Sequence, residues 1–329
     1  MTAAAPLDDF RALARRLPKR GDSAALGVAA RTAKLSAQGV SLGRAGELVE
    51  WLAAWSGRPK PVVARPVVAV FAATHGVAAR RVGRHAAGHE QRLVEHCAAG
   101  GSAISQFCGA ADIGLKVFDL ALDLPSGDIV AEDALDERGA AATMAFGMEA
   151  IAGGSDLIVI GQIGEGADVA AAAMMIALHG GEPGDWLMPT PDRSLAARQA
   201  DAAAAAVARV GGKGGEAFAV LQRLGGRDIA AIAGAILSAR AEKIPVVLDG
   251  FAALAAAAVV HAAEPDGVAH CVLSQIPARP AAARAARALG LSHVHDLGIG
   301  EEEGLAGAVA ASMLRDFAAT HGGMVALEG

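Results

Sequence analysis

A glycine-rich segment follows the apolar run at residues 157–160 and leads into an alanine-rich stretch. It consists of Gly161, Gln162, Ile163, Gly164, Glu165, Gly166, Ala167 and Asp168. Glycines between a strand and a helix let the backbone approach a ligand and point N–H groups at an anion. The spacing is not that of a dinucleotide-binding motif, and no P-loop lysine follows. An anion site and a tight turn that needs the conformational freedom of glycine both remain open.

A second candidate is Asp249, which follows the apolar run at residues 245–248 and precedes Gly250. An acid at the carboxyl end of a strand is well placed to hold the hydroxyls of a ribose. Aspartate is also a favoured helix N-cap, and an alanine-rich segment follows it here. The residues themselves leave the two interpretations equal.

His75 stands at the corresponding place after the apolar run at residues 66–71, and Gly76 follows it. A polar side chain at the end of a strand could anchor a ligand. A single histidine is more often a structural residue whose ring is hydrogen-bonded inside the protein. The local sequence favours the structural role.

Three consecutive acids, Glu301, Glu302 and Glu303, precede Gly304 and the last alanine-rich segment. Acids in the first turn of a helix interact favourably with the helix dipole and need no other role. Alternatively, the crowding of three carboxylates raises the pKa of one, which then acts as a general base. The residues by themselves favour the helix-dipole interpretation.

Histidines also cluster between residues 85 and 97. His85 and His89 are four residues apart, and His96 and Cys97 follow. This spacing could suit a metal ion, but the His-Glu-x-x-His order of zinc proteases is absent and arginines interleave. The sequence therefore predicts no metal centre here.

Short apolar runs that are rich in β-branched residues recur along the chain, separated by alanine-rich segments. Such runs are typical of parallel strands that are buried on both faces of a sheet. They predict an open, doubly wound α/β sheet, mostly parallel, whose ligands bind at the carboxyl ends of the strands. The predicted strands are residues 66–71, 115–122, 157–160, 245–248, 269–273 and 292–297.

Both ends of the chain have helical patterns. Apolar residues at helical spacing occur within residues 8–16 and 44–55, before a Gly- and Pro-rich break, and again within residues 305–319. We therefore expect a small helical domain built from residues 1–60 and 305–329. Residues 61–304 would form the large α/β domain.

Composition excludes several classes of protein. The 329 residues are 53% hydrophobic and 19% charged, so a largely disordered chain is excluded. The net charge of −6 and the 3% aromatic content argue against a nucleic-acid surface. No stretch is apolar enough to predict a membrane-spanning helix. The N-terminus does not resemble a signal peptide. Three cysteines without a pattern argue against a disulfide-stabilised protein. We expect a cytoplasmic protein, and a homodimer because the alanine-rich helices expose more apolar surface than one subunit covers.

Several segments together resemble the nicotinate-nucleotide:dimethylbenzimidazole phosphoribosyltransferase family of cobalamin biosynthesis. The resemblance extends from residue 42 to about residue 319. The blocks that carry it are residues 70–77 (VFAATHGV), 99–104 (AGGSAI), 160–164 (IGQIG), 225–235 (GGRDIAAIAGA), 245–251 (PVVLDGF) and 296–298 (DLG).

The resemblance implies a Rossmann-like large domain, a homodimer, and transfer of the phosphoribosyl group of nicotinate mononucleotide to a benzimidazole-type base. It implies no metal and no cofactor. Glu303 would be the general base, because it aligns with the glutamate of the family's Leu-Gly-Leu-Arg-Leu-Gly-Glu-Gly segment. The implied substrate-binding residues are His75, Gly83, Gln91, Gly161, Gln162, Ile163, Gly164, Glu165, Gly166, Asp249, Ser274 and Glu301.

The chain also departs from the family pattern at its ligand-binding blocks. Gln162 replaces a glutamate, Ala167 and Asp168 replace an Asn-Thr pair, and Arg279 replaces an acid. The changes at positions 162, 167 and 168 keep open an alternative function, in which a catalytically impaired homologue binds a nucleotide or azole or acts as a partner subunit. The retained Glu303-Gly304, Asp249 and glycine-rich loop support the active enzyme.

Overall fold

All six apolar runs form strands of one parallel sheet in the computed structural model, which describes residues 5–37, 39–300 and 303–325. The strand order is β2-β1-β3-β4-β5-β6, and every pairing is parallel. The doubly wound α/β prediction is confirmed. The strands are β1 (Pro66–Ala72), β2 (Gly114–Asp119), β3 (Leu157–Ile163), β4 (Val246–Leu248), β5 (Cys271–Gln275) and β6 (His293–His295).

Strand β3 is longer than predicted. Gly161, Gln162 and Ile163 pair with β1 instead of beginning a loop. β1 extends to Ala72 and offers backbone partners that far, so the ladder continues past the glycine. β2 was predicted too long, since it ends at Asp119 and the chain turns there.

The segments between and around the strands are helical. These helices are α1 (Asp8–Ala14), α2 (Asp22–Ser36), α3 (Gly43–Ser56), α4 (His89–Ala98), α5 (Ala103–Ala111), α6 (Glu137–Gly147), α7 (Ala167–His179), α8 (Pro183–Trp186), α9 (Arg193–Arg209), α10 (Ala217–Leu224), α11 (Arg227–Ala241), α12 (Phe251–Ala263), α13 (Pro280–Ala288) and α14 (Leu305–Gly323).

The two faces of the sheet carry separate hydrophobic cores. Alternate residues of β1 point to opposite faces, so Ala69 and Phe71 pack with α7, α11 and α12, whereas Val68 and Val70 pack with α3, α5 and α14. Alanine dominates α7 and α12, and almost every residue of these helices is buried. Small side chains there let the helices lie close to the sheet and to one another.

The last helix connects the two ends of the chain. α14 packs against α3 and also lies on the sheet. His321 of α14 lies 3.0 Å from the hydroxyl of Thr32 on α2. Phe10 of α1 and Leu7, which directly precedes that helix, instead join the core on the opposite face. The division into a small and a large domain remains a prediction.

The strand order places a switch point between β1 and β3. From β1 the chain moves outward to β2, then returns across β1 to β3 and continues in the other direction. The loops after β1 and β3 therefore diverge and leave a crevice at the carboxyl ends of the strands. Open α/β sheets bind their ligands at such a crevice.

Candidate active site

A cavity of about 450 Å³ occupies this crevice. It falls within the roughly 300–1,000 Å³ that small-molecule sites usually have. The loop after β1, the end of β3, the first turn of α7, Arg279 and the segment before α14 line it. Of the predicted site residues, it brings together Gly83, Gln162, Ile163, Gly164, Glu165, Gly166 and Glu303.

Glu303 reaches the cavity from a left-handed backbone conformation, with φ of +57°. Its main chain touches Gly161 so closely that a β-carbon at Gly161 would lie 2.7 Å from the Glu303 carbonyl oxygen. Glycine is therefore needed at position 161 because the two backbones lie close together there, and not because the chain turns. The carboxylate lies 3.7 Å from the thiol of Cys97, which donates to it.

The prediction that Glu303 lies in the first turn of the last helix is wrong. Helix α14 begins at Leu305, and its N-cap is Gly304, with φ of +94°. Glu303 thus precedes the helix, and a left-handed glycine turns the chain between them. Glu301, a predicted substrate-binding residue, and Glu302 lie outside the described residues.

The glycine-rich loop is shorter than predicted and includes only residues 164–166. Gly166 has φ of +89° and is the N-cap of α7, so at this position the tight-turn interpretation holds. Gly164 has no such conformation. A β-carbon at Gly164 would lie 2.9 Å from the carbonyl oxygen of Ala73, so glycine is needed there for close packing. The N-terminus of α7 lines the cavity, and helix N-termini attract anions.

Gln162 is held by a buried carboxylate. Its amide donates to Asp228 Oδ2 at 2.7 Å, and His75 Nε2 lies 2.9 Å from the same oxygen. The other oxygen of Asp228 accepts from the N–H of Ile229 at 2.8 Å. Asp228 is fully buried. The network fixes the side chain of Gln162 at the wall of the cavity.

His75 is a buried structural residue in this arrangement and does not line the cavity. Burial opposes a charge on its ring, but the neighbouring carboxylate of Asp228 outweighs burial, so the pKa of His75 is raised. The contact with Asp228 therefore favours the protonated ring and an ion pair between the two side chains. Its influence on the cavity passes through Asp228 to Gln162.

Asp249 and Ser274 lie beside the main cavity, in a small recess at the ends of β4 and β5. The Ser274 hydroxyl donates to one Asp249 oxygen at 2.7 Å, and the N–H of Gly307 donates to the other at 2.8 Å. Gly307 belongs to α14, so the predicted capping of the helix after Asp249 is wrong. Burial raises the pKa of Asp249, and these two hydrogen bonds reduce the effect.

Gly83 and Glu165 occupy the mouth of the cavity together. A β-carbon at Gly83 would collide with the Glu165 carboxylate, so this glycine provides the space for the acid. Gln91 is not part of the cavity wall. It is exposed on α4, where its amide donates to Glu95 at 2.9 Å.

The histidine cluster divides in two. His85 and His89 lie at the mouth of the cavity with Glu165, whereas Cys97 contacts Glu303 and His96 lines a neighbouring recess. His85 and His89 do not share a helix, because α4 begins at His89. A loop and a helix start bring them together.

Comparisons with known proteins agree with this geometry. A family model described as phosphoribosyltransferase matches residues 18–329. The nicotinate-nucleotide–dimethylbenzimidazole phosphoribosyltransferase of Brucella anthropi is 48% identical over 325 residues, which are 98% of this chain and 96% of that protein. The protein of the same name from Agrobacterium fabrum is 46% identical over 98% of this chain and 94% of its own length.

A solved structure shares the fold as well. The crystal structure of nicotinate-nucleotide–dimethylbenzimidazole phosphoribosyltransferase from Thermus thermophilus matches with a TM-score of 0.82 at 29% identity. The matched region covers 91% of this chain and 95% of the Thermus thermophilus chain. The chain belongs to the nicotinate-nucleotide–dimethylbenzimidazole phosphoribosyltransferase family. It is therefore a pentosyltransferase, and the predicted resemblance is confirmed.

The sequence did not single out two charged residues of this phosphoribosyltransferase as site residues. Asp228 follows a pair of glycines and looks like an ordinary acid in the first turn of a helix. Arg279 is buried in the cavity wall, where it donates to Asp168 at 2.9 Å and stacks 4.1 Å above the ring of Phe251. No spacing in the sequence signals these contacts, since residues far apart in the chain form them.

Among the described residues of the phosphoribosyltransferase, no helix is both long and apolar enough to cross a membrane. The three cysteines are free and buried.

Proposed function

We propose that this enzyme transfers the 5-phosphoribosyl group of nicotinate mononucleotide to 5,6-dimethylbenzimidazole or a related azole, as the names of its relatives indicate. The products are nicotinate and α-ribazole 5′-phosphate. The observation that carries the proposal is the position of Glu303 in the same cavity as the N-terminus of α7. One cavity thus holds a proton acceptor and an anion site, which are the two groups that the reaction needs.

The chemical step joins the azole to the ribose. One azole nitrogen attacks C1 of the ribose from the face opposite the pyridine, and the bond from C1 to the pyridine nitrogen breaks. Nicotinate leaves with that electron pair, and the configuration at C1 inverts. The other azole nitrogen loses its proton to the carboxylate of Glu303, which acts as a general base.

The donor phosphate would lie against the loop 164–166 and the first turn of α7. Support comes from the N-terminus of α7, which lines the cavity, and from Arg279 beside Asp168. Glu165, in the middle of the same loop, carries a negative charge beside Gly83 and His85. We therefore place the phosphate on the Arg279 side and the azole towards Glu303 and Gly83.

Homodimer formation and a cytoplasmic location are parts of this proposal. Strand β2 forms an edge of the sheet on which Leu115, Val117 and Phe118 are only half-buried. Phe146 packs against Phe118 and is 46% exposed. A second subunit covering this edge would bury the apolar surface. Free cysteines fit a reducing compartment.

A single incubation tests the proposal. The pure enzyme is mixed with nicotinate mononucleotide and dimethylbenzimidazole, and the products are separated by chromatography. We expect α-ribazole phosphate and free nicotinate in equal amounts. Donor binding without any product, across a panel of azoles, would instead support the alternative of an impaired, ligand-binding homologue.

A further inference from the structure

We propose that His85, His89 and Glu165 form a binding site for a divalent transition-metal ion at the mouth of the cavity. One ligand atom from each residue lies within 4.8 Å of the other two. Two segments supply them, namely the end of the β1–α4 loop with the first residue of α4, and the loop between β3 and α7. The proposed site lies in the wall of the same cavity, but its binding of a metal ion can be tested without substrates.

The three groups need only a small movement to share an ion. Zinc–nitrogen bonds are about 2.0–2.1 Å long, so two ligand atoms on a tetrahedral ion lie about 3.3 Å apart. His85 Nδ1 already contacts a carboxylate oxygen of Glu165, and the two imidazole rings stack with centroids 3.8 Å apart. The His85 side chain is 50% exposed and can rotate without disturbing the core.

Charges of both signs surround the cluster. Arg84 and Arg92 are nearby and oppose a cation, but Glu165 and the buried carboxylate of Glu90 offset them.

The carboxylate is held in position for this role. Its second oxygen accepts from the backbone N–H of Arg84 at 2.8 Å, which leaves the first oxygen directed at His85. The backbone N–H of Glu165 in turn donates to Glu90 at 3.2 Å. Ligand carboxylates in metal sites are typically held by outer hydrogen bonds of this kind. Gly83 leaves the space that the carboxylate occupies.

Two imidazoles and one carboxylate suit Zn²⁺, Co²⁺ or Ni²⁺ rather than Mg²⁺ or Ca²⁺. Three protein ligands leave a fourth position, which lies at the cavity mouth and takes water or a nitrogen of a bound azole. A bound ion would also tie together two loops that otherwise meet through a few hydrogen bonds. We therefore expect it to raise the thermal stability of the protein.

The test titrates metal-free enzyme with Co²⁺ and follows its visible d–d absorption, with calorimetry for Zn²⁺. His85→Gln, His89→Gln and Glu165→Gln are compared with the wild type, and circular dichroism confirms that each variant is folded. His293→Gln is the matched control, because His293 is a partly exposed histidine of β6 outside the cluster. Should a glutamine variant not fold, the corresponding alanine variant replaces it.

We expect one equivalent of Co²⁺ to bind the wild type and the control equally. Each of the three cluster variants should bind at least tenfold more weakly and lose the metal-dependent rise in melting temperature. Binding that is equal in the wild type and all cluster variants would overturn the proposal. So would the absence of saturable binding below millimolar metal.

Discussion

The floor and the rim of the cavity are built in different ways. The floor comprises Gln162 and Glu303, which are supported from behind by the Asp228–His75 pair and by Gly161, and the rim comprises His85, His89 and Glu165. Floor residues are held by backbone contact and a buried ion pair. Rim residues are half-buried or exposed and are held by side-chain hydrogen bonds.

This difference indicates a division of roles. Transfer between two bound molecules needs reacting groups that are positioned within a fraction of an ångström, and buried backbone contacts provide that. Entry of substrates and binding of an ion need side chains that can move, and exposed positions allow it. We therefore expect substitutions in the floor to have larger effects than those in the rim.

The largest effect is expected for Glu303→Gln. Glutamine keeps the size and polarity of the side chain but cannot accept the azole proton. General-base catalysis typically contributes about 10²–10⁴-fold, so turnover should fall by that factor while the Kd for nicotinate mononucleotide stays nearly unchanged. Steady-state kinetics and calorimetry measure the two effects.

Glu47→Gln is the control for this variant, because Glu47 is an exposed residue of α3 paired with Arg44. It should behave like the wild type. A folded Glu303→Gln enzyme with near-wild-type turnover would exclude Glu303 as the base.

Asp228→Asn should mainly reduce stability. The change removes the charge opposite His75 and disturbs the hydrogen bond that holds Gln162, and losing one partner of a buried pair costs about 3 kcal/mol. Chemical denaturation measures the free energy of unfolding. Asp22→Asn is a surface control, because the Asp22 side chain is 73% exposed and pairs with Arg20. It should change the free energy of unfolding by less than about 1 kcal/mol.

The same pair predicts a dependence of stability on pH. The pKa of His75 is raised in the folded state, so the folded protein holds this proton more tightly than the unfolded chain does. The stabilisation is fully present below the ordinary histidine pKa of about 6.5. It is lost as the pH rises through the raised pKa of folded His75. This component should disappear in Asp228→Asn, and an unchanged pH profile would rule out the ion pair.

Gly164→Ala should weaken donor binding more than tenfold. The new β-carbon would press on the carbonyl of Ala73 and on the amide of Gln162, so the loop must shift away from the N-terminus of α7. Gly109→Ala is the matched control, because a β-carbon at Gly109 meets no neighbouring atom in α5. Calorimetric titration with nicotinate mononucleotide compares them. Equal affinities would place the phosphate elsewhere.

The smallest effect is expected for Cys97→Ala, because Cys97 only contacts the floor residue Glu303. Burial raises the pKa of the Cys97 thiol, and the neighbouring Glu303 raises it further, so the thiol stays protonated and can donate. A thiol is a weak donor. Its hydrogen bond contributes about 0.5 kcal/mol, the low end of the usual range for hydrogen bonds, so losing it should lower turnover about twofold. Cys97→Ser keeps a donor and should restore the rate. A serine variant no better than alanine would show that the thiol only fills space.

Local sequence was sufficient for much of the fold. Short runs rich in apolar and β-branched residues predicted all six strands, and the central strands are apolar throughout because they are buried on both faces of the sheet. Alternation of strands with alanine-rich segments predicted the doubly wound sheet, and parallel strands place their carboxyl ends on one edge. The glycine-rich segment after residue 160 therefore had to lie at the ligand-binding edge.

The ends of elements were harder to predict from local sequence. Gly161 looked like the start of a loop but extends β3, because β1 is long enough to pair with it. Glu303 looked like part of a helix but precedes it, because Gly304 adopts a left-handed conformation. Each outcome depends on a neighbouring segment, so the local pattern could not decide it.

The sequence by itself determined the layers of this protein, the edge of the sheet that binds ligands, and the family through its motif blocks. Only the tertiary structure decided which charged and metal-binding groups meet. Asp228 faces His75 across 153 positions, and Glu165 meets His85 across 80. Such pairs form only after helices have packed on both faces of the sheet, because packing alone sets distances between residues that are remote in the chain.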